Sequence, residues 1–308
     1  MIVRAVWLLS LFCSFILTPP LAAAATSTAP IYRVALVDRF YPRDYALPPA
    51  RKPEFQDALY GLVDLDKDRS REPLYHGDIV EMLLRHPQIQ VIRYQLPSDR
   101  KPMEGLLHQL TKLEADINKS AVEAVLLPWE SSTLISSLDS DLSPERVASY
   151  IKTLSEWGER DGVWRTTVDL ISQIEKLTAK GVKVFTIAGN GGKRMVNTLS
   201  FARGVTTVGA EETELRNFIS ENRFVNAHGK SAYIFRRVDG ADGRAQGYDL
   251  DGDGCPEVGL SKLTSYDPDR RDYPREGWRA IKGSSFAAPT ALRVALVGGT
   301  ASGICLGY

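Results

Sequence analysis

From Ile31 onward the chain alternates between short β-rich runs and amphipathic stretches, and this alternation restricts its folds more than any other feature. Runs near Tyr32–Val37, Gln90–Tyr94, Val122–Leu127, Val182–Ala188 and Val205–Val208 predict strands. Between them Gly77–Arg85, Met103–Asn118, Pro144–Trp157 and Val168–Ala179 predict helices. Strands separated by helices form parallel pairs, and a parallel sheet has to be covered on both faces. The expected fold is therefore α/β and three-layered, a mostly parallel central sheet flanked by helices. In such sheets functional groups collect at the carboxyl ends of strands, where Asp38 and Asn190 both fall. Leu215–Tyr273 is less regular and rich in Gly, Asp and Arg, which predicts hairpins and loops on the rim.

The first residues follow a different pattern. Arg4 precedes an apolar run from Ala5 to Leu17, and Pro19-Pro20-Leu21-Ala22-Ala23-Ala24-Ala25 then supplies small residues. The run is too short to span a bilayer, so residues 1–25 are expected to be an export signal, leaving residues 26–308 as one domain in the periplasm or outside the cell, with an uncleaved anchor the other outcome. No other segment is apolar enough to span, so no membrane span is expected after signal removal. The 38 basic residues match the 38 acidic ones, and Arg4 is the one charge in the signal, so the mature chain is near neutral. That balance gives no reason to expect nucleic acid as a partner. Of the three cysteines, Cys255 and Cys305 lie beyond the signal; exported cysteines tend to pair, so one disulfide is expected, with two separate buried thiols the other outcome.

Four motifs carry the chemistry. Gly283-Ser284-Ser285-Phe286-Ala287-Ala288-Pro289 places serines at the start of an apolar helix, facing unpaired backbone N–H groups. That setting suits an acyl-transfer nucleophile, although it is also an ordinary helix cap. Upstream, the first strand ends in Asp38, His76-Gly77 opens a helix, and Gly181 to Gly192 contains the strand end Ala188-Gly189-Asn190. Together, in the order Asp, His, Asn, Ser, these segments resemble the subtilisin-like serine peptidases, with Ser284 at the threonine of the Gly-Thr-Ser turn and Ser285 at the nucleophile. The resemblance runs from Ile31 to about Gly298. It implies a subtilisin-like fold and an endopeptidase, with Asp38, His76 and Ser285 as triad and Asn190 as oxyanion donor. It also implies a protein or peptide substrate and a monomer.

Departures from the family pattern point to a remodelled cleft. Arg39-Phe40 follows Asp38 where the family has Thr/Ser-Gly, and Asp78 brings a further carboxylate near the imidazole. Pro128-Trp129-Glu130 stands at the family's Ser-Leu-Gly substrate edge, so Pro128, Trp129, Glu130 and Gly189 are expected to contact substrate. Asp38 follows the expected cleavage point too closely for a folding propeptide. The alternative reading is a catalytically impaired pseudoenzyme or protein-binding module of the same fold.

Asp249-Leu250-Asp251-Gly252-Asp253-Gly254-Cys255-Pro256-Glu257 resembles the first half of an EF-hand loop, with Leu260 where the closing glutamate would be. Asp249, Asp251, Asp253 and Glu257 are the candidate ligands for a structural calcium, against a solvated acidic turn. A phosphate loop fails at Ile187 and Arg194, no Gly-rich turn follows the first strand, and no His/Cys spacing fits zinc.

Overall fold

The computed structural model describes residues 30–40, 75–97, 99–117, 121–233, 236–241, 243, 245–249, 254–256, 258–259 and 281–298. The chain divides into Met1–Pro30 and Ile31–Tyr308, and the sheet and site belong to the second unit. The expected export signal lies outside the described residues.

The central sheet comprises β1 (Tyr32–Asp38), β2 (Ile89–Gln95), β3 (Ala124–Leu127), β5 (Lys183–Ile187), β7 (Val205–Ala210) and β8 (Ala227–Gly229); outside it β4 (Ser132–Leu134) pairs antiparallel with β6 (Met195–Asn197), and β9 (Ala232–Tyr233) with β13 (Ile281–Lys282). Their order is β2-β1-β3-β5-β7-β8, and every pairing is parallel. The expectation of a parallel three-layer α/β fold holds, with β8 as a sixth strand that the rim composition concealed. After β1 the sheet grows first toward β2 and then, from β3, in the opposite direction. That reversal splays the connections leaving β1 and β3 and opens a crevice at their carboxyl ends.

Helices α1 (His76–Leu83), α2 (Pro102–Asp116), α3 (Val147–Gly158), α4 (Gly162–Ala179) and α5 (Ser284–Val297) cover the sheet. On β1, Ala35 and Val37 face a core shared with Leu106, Leu110, Leu170 and Ile174. Val34 and Leu36 face the opposite core with Val80, Ala287, Ala288 and Leu292. All four strand residues are fully buried, which explains the unbroken apolar run. The Val34, Leu36 and Val37 side chains each contribute about 1.5–3 kcal/mol.

Helix α4 starts at Gly162, six residues before the expected Val168, because Asp161 caps it by accepting the Val163 N–H at 2.9 Å. Tertiary packing outweighs the poor helix propensity of Thr166 and Thr167: Trp164 meets Trp157 edge-on at 5.2 Å, and buried Thr167 pairs with Ser131 at 2.9 Å. The expected rim, 215–273, is described only in part, and β8 within it joins the central sheet. Among the described residues it contains a short 3-10 turn at Thr213–Asn217 and an antiparallel sheet of β10 (Arg236–Asp239), β11 (Ala245–Asp249) and β12 (Val258–Gly259). No helix among the described residues is long and apolar enough to cross a membrane.

Candidate active site

Asp38 is the last residue of β1, and its carboxylate is fully buried. Its Oδ1 accepts the Arg39 N–H at 2.7 Å, while Oδ2 lies 2.7 Å from Nδ1 of His76, the first residue of α1. The helix comes this close because Gly77 has no side chain: a Cβ there would lie 2.6 Å from the Arg39 carbonyl oxygen and 2.8 Å from Asp38 Cβ. The Gly77 N–H instead donates to the Arg39 carbonyl at 3.0 Å. Burial pushes the His76 pKa down, but the Asp38 charge and hydrogen bond outweigh it and hold the imidazole above its ordinary value. Asp38 also fixes the proton on Nδ1, leaving Nε2 as the basic nitrogen.

The further carboxylate, Asp78, is used elsewhere. It accepts the Tyr75 N–H at 2.9 Å and pairs with Arg93 at 3.2 Å, closing the first turn of α1 against β2.

Ser285 is the second residue of α5, nearly buried, with Oγ donating to the Pro128 carbonyl at 3.4 Å. Its backbone N–H belongs to the first helical turn, where no carbonyl of the same helix can accept it. The Phe286 ring lies 5.7 Å from the His76 ring and ties the helix start to the imidazole. Asn190 follows β5, and its Oδ1 accepts both the Ser284 N–H at 2.9 Å and the Ser284 hydroxyl at 3.1 Å. A backbone N–H can only donate, so the Asn190 oxygen must face Ser284 and the amide NH2 is the free end. Gly189 N–H donates to the same Ser284 hydroxyl at 3.2 Å.

Asp38, His76, Asn190, Ser285, Pro128, Trp129 and Glu130 all line one cleft of 490 Å³. Trp129 is both core and wall: half-buried against the apolar core, it donates its indole N–H to the Val37 carbonyl at 3.1 Å. Glu130 is exposed and accepts the Asn190 backbone N–H at 2.7 Å. Beneath both, buried Asn197 donates to the Trp129 and Ile187 carbonyls at 3.2 and 2.7 Å and accepts the Ser131 N–H at 3.0 Å. It cross-links the two walls of the cleft.

Sequence reasoning missed further lining: Lys101, Pro102, Met103 and Glu104 at the start of α2, and Val163 and Thr166 from the first two turns of α4. Pro102 in the first turn and the Asp161 cap were the available signals for those helix starts. Of the candidate calcium ligands, Asp249 is buried and its Oδ2 accepts the Gly254 N–H at 3.0 Å; Asp251, Asp253 and Glu257 lie outside the described residues. Among the described residues no group of three or more His, Cys, Asp or Glu is placed to hold a metal. Cys255 is buried, and Cys305 lies outside the described residues.

No family model and no curated protein matches the chain. Among solved structures it is similar to a lanthipeptide protease, at 14% identity over 86% of this chain and 71% of that one, with a TM-score of 0.43. It is also similar to the prenylagaramide maturation protease PagA, at 13% identity over 87% of this chain and 74% of that one, with a TM-score of 0.44. A third is the epidermin leader peptide processing serine protease EpiP from Staphylococcus aureus, at 13% identity over 87% of this chain and 65% of that one, with a TM-score of 0.46. These are likenesses of distant sequences.

Proposed function

We propose that the chain is an exported, monomeric serine endopeptidase of the subtilisin-like kind, hydrolysing peptide bonds in protein or peptide substrates. The observation that carries this reading is the 2.7 Å bond between buried Asp38 and His76, in the same cleft as Ser285 and Asn190. A buried carboxylate on Nδ1 orients the imidazole and stabilises its protonated form, as a general base for a hydroxyl requires.

In this mechanism the Ser285 hydroxyl turns from the Pro128 carbonyl to His76 Nε2 and gives up its proton as Oγ attacks the scissile carbonyl carbon. The oxyanion that forms takes hydrogen bonds from the Asn190 NH2 and the Ser285 backbone N–H. His76 then protonates the leaving amine as the C–N bond breaks, leaving an acyl ester on Ser285. Water, deprotonated by the same imidazole, hydrolyses that ester. Export rests on the pattern of residues 1–25, and a Cys255–Cys305 disulfide on the pairing of exported cysteines.

One observation favours a second reading, a binding module that retained the triad letters: Ser285 Oγ is bonded to Pro128 and not to His76. Digestion of an unfolded protein substrate by wild type and by Ser285→Ala decides between them. The peptidase reading expects cleavage that the variant loses by several powers of ten. Equal digestion by the two proteins would refute Ser285 as nucleophile, and none by either would favour the binding module.

A further inference from the structure

We infer that the cleft selects substrates with a lysine or arginine as the residue that supplies the scissile carbonyl, and that Glu130 is the group that recognises it. This inference rests on the peptidase reading and adds a substrate class to it.

The first ground is placement. His76 has to face the leaving amine, because it protonates that group, so the acyl half of the peptide lies on the other side of Ser285. In the sheet order that side is the one toward the ends of β3 and β5, and both contribute there: Glu130 follows β3 and Asn190 follows β5. Glu130 Oε2 accepts the Asn190 backbone N–H at 2.7 Å, which fixes the carboxylate beside the proposed oxyanion donor.

The second ground is that the position is built. Gly189 has φ of +96°, and a Cβ there would sit 2.5 Å from Glu130 Oε2. Glycine thus serves the backbone turn and the space for the carboxylate together. Asn197 pins the backbone on either side of Glu130, through the Trp129 carbonyl and the Ser131 N–H, so the side chain projects from a rigid edge.

The third ground is charge. Asp38 and Arg39 are adjacent and buried, and Lys101 and Glu104 share the start of α2, so among the described residues the other charges lining the cleft balance. Glu130 forms no ion pair among the described residues, and its Oε1 has no hydrogen-bond partner among them. An exposed carboxylate anchored by one oxygen and open at the other is a receptor for an ammonium or guanidinium group.

The test is a pair of fluorogenic peptides that differ only in arginine or citrulline before the scissile bond, which removes the charge and keeps the shape. Wild type should give a kcat/KM about tenfold higher for arginine, as befits a hydrogen bond between charged groups. That ratio should fall as salt is raised from low concentration and drop toward one in Glu130→Gln, whose carbonyl still accepts the Asn190 N–H. A wild-type ratio near one, or a ratio unchanged by salt or by Glu130→Gln, overturns the inference. Fluorophosphonate labelling of Ser285 in the same wild-type samples separates the two claims. Labelled enzyme that cleaves both peptides equally removes only the basic preference. Enzyme neither labelled nor cleaving removes the peptidase reading and this inference with it.

Discussion

In the proposed mechanism the chemistry turns on His76, whose environment gives a pH dependence with a definite sign. Asp38 raises its pKa in the folded protein above the ordinary 6.5. The stability this adds is complete below about pH 6.5 and is lost as pH rises through the folded value. Catalysis needs the neutral ring, so kcat/KM should climb on the alkaline side of 6.5. Asp38→Asn should move that limb downward and cut kcat by about 10⁴. A pH–rate profile that is flat from pH 6 to 9, or that Asp38→Asn leaves in place, contradicts the assignment. In the same proposal Asn190 is a group of the other type, needed only when charge develops on the carbonyl oxygen. Steady-state kinetics of Asn190→Ala should show kcat down by about 10²–10³ with KM almost unchanged; a change confined to KM would make it a ground-state contact. Asp38, His76, Asn190 and Ser285 were all singled out in the sequence, because each lies at a strand end or a helix start, and the fold brings the four to one cleft. The bond between Ser284 and Asn190 was not legible, since it joins positions far apart in the chain.

At the scale of elements, α1 is set by what it lacks. Gly77→Ala forces a methyl group against the Arg39 carbonyl, which should cost about 1–3 kcal/mol in urea unfolding and displace His76 from Asp38. Gly162→Ala, at the open start of α4 where no atom of the described residues beyond the helix's own first turn lies within 4 Å of the added carbon, is the control and should change stability by less than about 1 kcal/mol. Equal losses at both sites would show that glycine at position 77 is not needed for close approach. The Asp249–Glu257 loop yields a second test. Three carboxylates within five residues repel unless a cation separates them, and Asp249 already draws Gly254 around itself at 3.0 Å. Calcium at about a hundred times its dissociation constant should add about 2.7 kcal/mol to unfolding. The gain should vanish on chelation and in Asp251→Asn/Asp253→Asn. Equal melting temperatures with calcium and with chelator would reduce the loop to a solvated turn.

For the whole molecule, the alternation of strands and helices made the layered parallel sheet legible, since a strand buried on both faces leaves an unbroken apolar run such as Val34–Val37. What it left out was how elements overhang one another. The first turns of α2 and α4 form walls of the cleft, and hydrophobic periodicity locates a helix without saying which end stands over the site. Glu130 is expected at a substrate edge from its position in the chain, yet its hold on Asn190 and its lack of an ion pair among the described residues required the fold. The sheet reversal between β1 and β3 brings Asp38 to the same crevice as Pro128, and α5 delivers Ser285 to the Pro128 carbonyl. Whether that assembly activates the hydroxyl is settled by incubating the intact protein with a fluorophosphonate at pH 8 and mapping the adduct by peptide mass spectrometry. The proposed triad requires one adduct on Ser285, lost in His76→Ala. Absence of an adduct on the folded wild-type protein, or labelling that persists in His76→Ala, would contradict it.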